Sequence, residues 1–285
     1  MSTLNRRTFR ALAAFSLAIS VVASVSFAQS SDGKRKNPTS KLYVADIEGV
    51  ASINTGEKIE DLTKKSVHAA EGVILETKPD SNNAIVLSNG TGIGFDPATR
   101  LEMNRFLQEP FSPNRSDLEI EPSVSQTAAM LSRGSIGLCT SKLVAGSSMV
   151  YSTRHASVVI RGRKVVIETT DNQTTVSLIE GDVTVRGEMM AGGQTLKPGQ
   201  QAIITRPSNF EPPVIVVQPI PPADVKRLEA KVAIACMARQ TVYFEVGERQ
   251  NEGATDGAFG QDIVPVEVLP GTLTPPNTIS PYKLP

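Results

Sequence analysis

The chain has 285 residues, 29 basic and 29 acidic side chains, two cysteines, no tryptophan and only 5% aromatic residues. Residues 29–285 hold 26 basic and 29 acidic side chains, a net charge of −3. A mildly acidic protein without a basic stripe is atypical of nucleic-acid-binding proteins, so we expect no nucleic-acid partner. The low aromatic content also argues against a platform on which sugars stack. The length is sufficient for one large core or two small ones.

The first 28 residues have the three parts of a cleavable signal peptide. Three arginines within residues 6–10 form a positive region, an apolar stretch follows, and small residues at 26 and 28 predict cleavage after Ala28. The apolar stretch is shorter than the ~20 residues of a membrane span. We therefore expect a periplasmic or secreted protein with no stable membrane span in the mature chain. The pair Arg6-Arg7 also fits a twin-arginine export signal.

Cys139 and Cys236 are the only cysteines. In an oxidising compartment they can pair, and closing a loop of that length would contribute about 4 kcal/mol in the chain-entropy model. Their spacing does not establish that they are close in space. Two buried free thiols are the alternative.

Composition divides the mature chain into four zones. They are a polar lead-in at 29–41, a β-rich body at 42–206, a Pro-rich segment followed by a helix at 207–246, and a Gly- and Pro-rich tail at 247–285. The composition of the tail predicts that most of it is disordered.

The body reads as short strands joined by turns. Asn89-Gly90 separates two short apolar runs, which predicts a β-hairpin because both residues tolerate the positive φ of a type I′ turn. Residues 165–169 and 174–179 flank a polar turn and predict a second hairpin. Strands every 8–12 residues with Gly-containing turns indicate an all-β fold, an antiparallel sandwich or roll of short strands.

One C-terminal amphipathic helix follows the body. Pro221-Pro222 and Asp224 are good opening signals, and the helical pattern runs through Arg239. The apolar face predicted to pack on the protein's own core consists of Val225, Leu228, Val232 and Cys236. Residues 126–131 fit a second, shorter helix.

The sequence contains no assembled catalytic, metal or cofactor site. His68 and His155 are isolated from other metal-ligand types, and the glycines of 90–94 lack the lysine and the helix of a P-loop. Ser152 and Thr153 lie near His155, which leaves an unrecognised hydrolase as an alternative. That alternative requires a cleft in which His155 meets a hydroxyl and a carboxylate.

Generic strand–turn pieces follow one another in a specific order and spacing over about residues 44–205. These pieces are 70–77, 84–91, 93–101, 131–134, 151–153, 159–162, 179–185 and 196–200. In this order and spacing the body resembles the FecR domain, the extracytoplasmic part of the FecR family of signalling proteins. One departure is Arg163, since the family usually has Thr after this Arg-Gly pair.

The turn residues within this likeness have a structural interpretation. We expect structural roles for Gly90, Arg161, Gly162, Gly181 and Gly199, because a chain reversal favours glycine. Arg161 is expected to be a buried, paired cation that anchors the sheet. A ligand contact is the alternative role for Arg161.

The resemblance implies a partner-binding function. In the family, this domain receives a signal from an outer-membrane receptor and passes it through a membrane helix to a cytoplasmic anti-sigma segment. Here only ten residues precede the apolar stretch, so we expect a stand-alone exported module that binds or senses an envelope protein. The alternative is a structural or surface protein that binds cell-wall or matrix polymer.

Overall fold

The computed structural model describes residues 40–111, 119–161, 163–187, 192–206, 211–248 and 261–268. All of them belong to one compact unit, Lys36–Pro285. The predicted signal peptide with its cleavage site at Ala28, the lead-in up to residue 39, and Gly162 lie outside the described residues.

The body consists of strands in both halves of the predicted domain. Its first half contains β1 (Lys41–Glu48), β2 (Ala51–Asn54), β3 (Ile59–Asp61), β4 (Val67–Ala69), β5 (Val73–Thr77), β6 (Asn82–Leu87), β7 (Gly92–Phe95), β8 (Arg100–Gln108) and β9 (Ser125–Cys139). Its second half contains β10 (Ser148–Ser152), β11 (Ala156–Ile160), β12 (Lys164–Thr169), β13 (Gln173–Glu180), β14 (Val183–Gly187), β15 (Gln194–Leu196), β16 (Gln200–Thr205) and β17 (Val214–Pro219). The expected all-β fold of short strands is confirmed.

These strands form two sheets that share β9. The first sheet has the order β4-β1-β6-β7-β9-β12-β13-β16-β17, and the second has the order β3-β2-β5-β8-β9-β10-β11-β14-β15. The pairs are antiparallel except β9 with β10, which is parallel. A large apolar core lies between the sheets, with side chains such as Leu42, Ile85, Leu138 and Val176 fully buried.

Strand β9 passes from the second sheet into the first. Its first half pairs with β8 and β10, and its second half pairs with β7 and β12. The short helix predicted over 126–131 is therefore wrong. Ala, Met and Leu favour helices as single residues. Thr127, Ala129 and Leu131 are nevertheless buried with the period of two that a strand requires, so burial in the sheet outweighs helix propensity here.

The two predicted hairpins are confirmed. Strands β6 and β7 pair across Asn89-Gly90, and Gly90 has φ +83°, a conformation that glycine adopts without steric cost. Asn89 does not have a positive φ, so the expected type I′ turn is not formed. Strands β12 and β13 pair with each other across the predicted polar turn. Gly181 and Gly199 also have positive φ, and each lies where the chain crosses from one sheet to the other.

Helix α1 (Pro222–Thr241) has Pro near its start and Asp224 in its first turn, as the sequence predicts. It packs on the outer face of the first sheet, over β6, β7, β9 and β12. Leu228 and Val232 are buried as expected, but Val225 is 39% exposed. The buried face instead continues through Ala235, Ala238 and Arg239.

Two further strands follow the helix and pair with each other. They are β18 (Val242–Glu248) and β19 (Gln261–Glu267). Strand β19 lies inside the tail that the sequence predicts to be mostly disordered. The rest of that tail, 249–260 and 269–285, lies outside the described residues.

Candidate functional site

Helix α1 rests directly on glycines of the first sheet. Gly94 of β7 and Gly137 of β9 are register partners, and Gly92 lies two residues before Gly94 on the same face. A Cβ at Gly137 would lie 2.5 Å from the carbonyl oxygen of Lys231, and one at Gly92 would lie 2.1 Å from that of Ala235. Larger side chains would therefore push the helix off the sheet. We call Gly92, Gly94 and Gly137 the glycine platform.

A disulfide and a buried arginine fix the same helix. The structure joins Cys139 at the end of β9 to Cys236 in the C-terminal half of α1. Arg239, one turn further on, donates to the carbonyl of Thr140 at 3.2 Å and to the hydroxyl of Ser141 at 2.7 Å. Burial lowers the pKa of Arg239. The covalent bond and the guanidinium both hold the C-terminal half of the helix on β9.

A charged cluster holds the N-terminal half. The Lys231 ammonium, with its side chain 16% exposed, bonds to Asp96, to the Ser135 hydroxyl at 2.9 Å and to Glu168 at 2.7 Å. Arg227 reaches Glu168 as well, at 2.6 Å. Burial acts to raise the pKa of Glu168, but the hydrogen bonds from Arg227 and Lys231 outweigh it, so this pKa lies below its usual range.

The fixed helix forms one wall of an open groove of about 470 Å³. The other walls are strands β1 and β6 and the end of β19. Its apolar surface is formed by Ala45, Ile47, Ala84, Ile234, Met237 and Ala238. Met237 is 60% exposed and Ile234 is 37% exposed, so the helix presents two large apolar side chains to solvent beside the groove. We call this space the helix groove.

Charged side chains line the rim of the helix groove, and most of them are paired. Lys64 bonds to Asp46 at 2.7 Å, and Lys65 bonds to Glu267 at 2.6 Å. The Tyr43 hydroxyl donates to the same Glu267 carboxylate at 2.7 Å. The hydrogen bond from Lys65, followed by that from Tyr43, lowers the pKa of Glu267. Burial, helped by the carboxylate, raises the pKa of Tyr43.

This combination suits binding of a protein surface. An apolar floor with a polar rim is the general form of a protein interface, and methionine adapts its shape to different partners. The described residues that line the groove include no serine, cysteine or histidine. Within the described part of the chain, no group of three or more His, Cys, Asp or Glu side chains is placed to hold a metal ion.

His155 does not meet the requirement of the hydrolase alternative. Its ring is buried, with 4% of the residue exposed, and Nδ1 lies 2.9 Å from the hydroxyl of Thr174. That hydroxyl bonds in turn to Thr153 and Thr169. The Asp171 carboxylate accepts from Arg154 instead. Burial lowers the pKa of His155. The residue lines neither the helix groove nor the smaller cavity beside Arg161.

Arg161 lies at a second, smaller cavity of about 360 Å³. The side chain is exposed, so the prediction of a buried, paired cation is wrong. Its backbone N–H donates to the carbonyl of Asp182 at 2.9 Å, because the chain leaves the core here to cross between the sheets. The neighbouring Arg163, which departs from the FecR pattern, forms ion pairs with Glu119 and Glu180.

The sequence signals for the helix groove were present but weak. Two glycines spaced i, i+2 within a strand, as at Gly92 and Gly94, indicate that another backbone approaches closely. Nothing in the sequence tells which backbone that is. Lys231 and Asp96 are 135 residues apart, and no local pattern joins them.

The described ranges include no helix with both the length and the apolar character that a membrane crossing requires.

Comparison with known proteins supports the family likeness. Residues 74–184 match the family model described as FecR protein. Two crystal structures of a "putative anti-sigma factor" from Parabacteroides distasonis ATCC 8503 are similar at 17% and 19% identity, each with a TM-score of 0.39. In both cases the match covers 54% of this chain and 62% of the other chain, which is less than two thirds of that protein's length. No curated protein matches the sequence. The β-rich body therefore carries a FecR-domain match over residues 74–184.

Proposed function

We propose that this chain is an exported, non-catalytic FecR module that binds a partner protein of the cell envelope through the helix groove. The observation that carries the proposal is the exposed pair Ile234 and Met237 on a helix that is locked to the domain. A rigid site loses little conformational entropy on binding. The FecR match over residues 74–184 supports a sensing or signalling role.

Two features support export. The first is the pattern of the N-terminal 28 residues, with its cleavage site after Ala28. The second is the bond between Cys139 and Cys236, since stable disulfides form outside the cytoplasm in most organisms. The exported protein should begin at Gln29, which intact-mass measurement of the envelope fraction would establish.

The pairing of the rim charges supports binding over catalysis. Lys64, Lys65 and Glu267 are held in ion pairs or hydrogen bonds. Their side chains are 37–62% exposed, whereas burial usually tunes the groups that act as catalytic acids and bases. These charges instead fit a rim that orients a protein partner, with the apolar floor supplying the contact area.

The test is capture of partners by the full-length exported protein from envelope extracts. The variant Met237→Lys places a charge at the groove, whereas the matched control Val225→Lys changes an exposed apolar residue on the same helix. We expect the wild type and the Val225→Lys variant to retain the same protein partner and the Met237→Lys variant to lose it.

The polymer-binding alternative gives a different result in this experiment. If no protein is retained and all three proteins bind purified cell-wall polymer equally, the sensing function is wrong. If a protein partner binds all three equally, the sensing function survives but the helix groove is not its site.

A further inference from the structure

Strand β17 ends the first sheet and, among the described residues, pairs on one side only. Its neighbour is β16, with Val216 opposite Ile203. The sequence of β17, Val-Ile-Val-Val-Gln-Pro, carries no charge. Edge strands are usually protected by charged side chains, because their free N–H and C=O groups can bind another strand. Here Val214 and Val216 are instead 48% and 49% exposed.

The hydrogen-bond pattern shows which backbone groups of β17 face outward. The N–H of Ile220, just after the strand, donates to the carbonyl of Gly199 beside β16. Backbone groups alternate in direction along an antiparallel strand, so those of 218, 216 and 214 also face β16. The groups of Ile215, Val217 and Pro219 therefore face away from the sheet.

Prolines at both ends of this outer edge limit the number of hydrogen bonds that it can donate. The outward positions, 213, 215, 217 and 219, are Pro, Ile, Val and Pro. Proline has no N–H to donate, so the outer edge offers hydrogen-bond donors only at Ile215 and Val217. The four positions are symmetric about Val216. An antiparallel copy of the same strand centred on Val216 matches donor to acceptor and proline to proline.

We infer that this edge pairs two copies of the chain, β17 against β17, about a twofold axis at Val216. Ile215 of each copy exchanges backbone hydrogen bonds with Val217 of the other. Val216 faces its own counterpart in a non-hydrogen-bonded pair, in which Cα atoms approach to about 4.5 Å. The exposed valines cover each other, and no like charges meet at the axis. This inference does not depend on the proposed function.

The chemistry of the face beside the edge fits the same occupant. The residues of β16 that lie opposite the outer-face positions of β17 are Gln201, Ile203 and Thr205, all uncharged. A partner that binds through charged groups would find no charged side chain among these residues. A second copy brings an equally uncharged strand to the edge, so no charged side chain is placed beside the joined strands.

Cysteine trapping tests the register of the pair. The Val216→Cys variant of the full chain should form a covalent dimer on mild oxidation, because the two new thiols face each other. The matched control is Val214→Cys, which is equally exposed but lies opposite Gln218 of the other copy. Only the first pair can reach disulfide geometry, so it should cross-link at least about tenfold faster.

A charge exchange tests whether the partner is a second copy. Sedimentation of the wild type from about 1 to about 500 µM should show a rising dimer fraction, the range in which small interfaces associate. Val216→Lys and Val216→Glu should each stay monomeric, and a mixture of the two should associate again. The inference is overturned if the wild type stays monomeric, if Val214→Cys cross-links as fast as Val216→Cys, or if the mixture does not associate.

Discussion

Gly137 lies under Lys231 so closely that a single added methyl group would come within 2.5 Å of the Lys231 carbonyl oxygen. The atoms met by that methyl group belong to the helix backbone, which cannot rotate away as a flexible side chain could. The position of α1, and with it the shape of the helix groove, therefore depends on the absence of a side chain at Gly137.

The substitution Gly137→Ala should lower the free energy of unfolding by about 3 kcal/mol, because the helix must move away from the sheet. Gly192→Ala is the matched control, since a Cβ there meets nothing within 4 Å and the residue has no positive φ. Urea unfolding measures both. Equal effects of the two substitutions would contradict the close packing of helix and sheet.

Reduction of the disulfide should also weaken the attachment of the helix. Cys139 and Cys236 are 97 residues apart, and a loop of this size contributes about 4–5 kcal/mol by restricting the unfolded chain. The double variant Cys139→Ala/Cys236→Ala should lose a similar amount of unfolding free energy, measured in oxidising buffer. A change below about 0.5 kcal/mol would mean that the bond contributes nothing to the fold.

A lower pH should weaken the ion pairs that Lys231 forms with its carboxylate partners. Because the pKa of Glu168 is lower in the folded protein than in the unfolded chain, this group stabilises the fold above its unfolded pKa of about 4.3. That contribution is lost as the pH falls through the folded pKa. The Glu168→Gln variant should therefore be less stable than the wild type at pH 7, with the two curves converging in acid.

The control for this pH series is Asp171→Asn. Asp171 pairs with Arg154 at the surface, with side chains 84% and 56% exposed, and such pairs contribute little. Urea unfolding at several pH values should separate the two variants. Parallel curves for the Glu168→Gln variant and the wild type would show that the carboxylate does not contribute through its ionisation.

Two buried tyrosines should respond differently to loss of the hydroxyl. The Tyr43 hydroxyl bonds to Glu267 at 2.7 Å, so Tyr43→Phe should cost about 1–2 kcal/mol. The Tyr151 hydroxyl is fully buried without a hydrogen-bond partner among the described residues. Tyr151→Phe should be neutral or stabilising. Thermal unfolding compares the two, and a larger loss for Tyr151→Phe would contradict these environments.

The sequence predicted those parts of the fold that depend on neighbouring residues. Asn89-Gly90 and the polar turn at 171–173 specify their hairpins locally, and the helix start at Pro222 has its own signals. The two-sheet order was not predictable in detail, because β9 supplies half its length to each sheet. Only contacts between distant segments decide where such a strand crosses.

The helix groove could not be predicted from the sequence for the same reason. Gly92 and Gly94 lack the lysine and the following helix of a phosphate-binding loop, and their actual partner, α1, begins about 130 residues later. The prediction for Arg161 failed in a different way, because it placed the side chain in the interior of the sheet whereas the structure places it at the surface. Its role depends on the crossing between the sheets, which no local pattern specifies.

Site-specific photo-crosslinking in living cells tests the central claim most directly. A photoreactive amino acid would replace Met237 in the helix groove in one strain and Val225, outside the groove, in another. We predict that position 237 gives a defined adduct with one envelope protein and that position 225 does not. Equal labelling from both positions, or no protein adduct at position 237, would contradict partner binding through the helix groove.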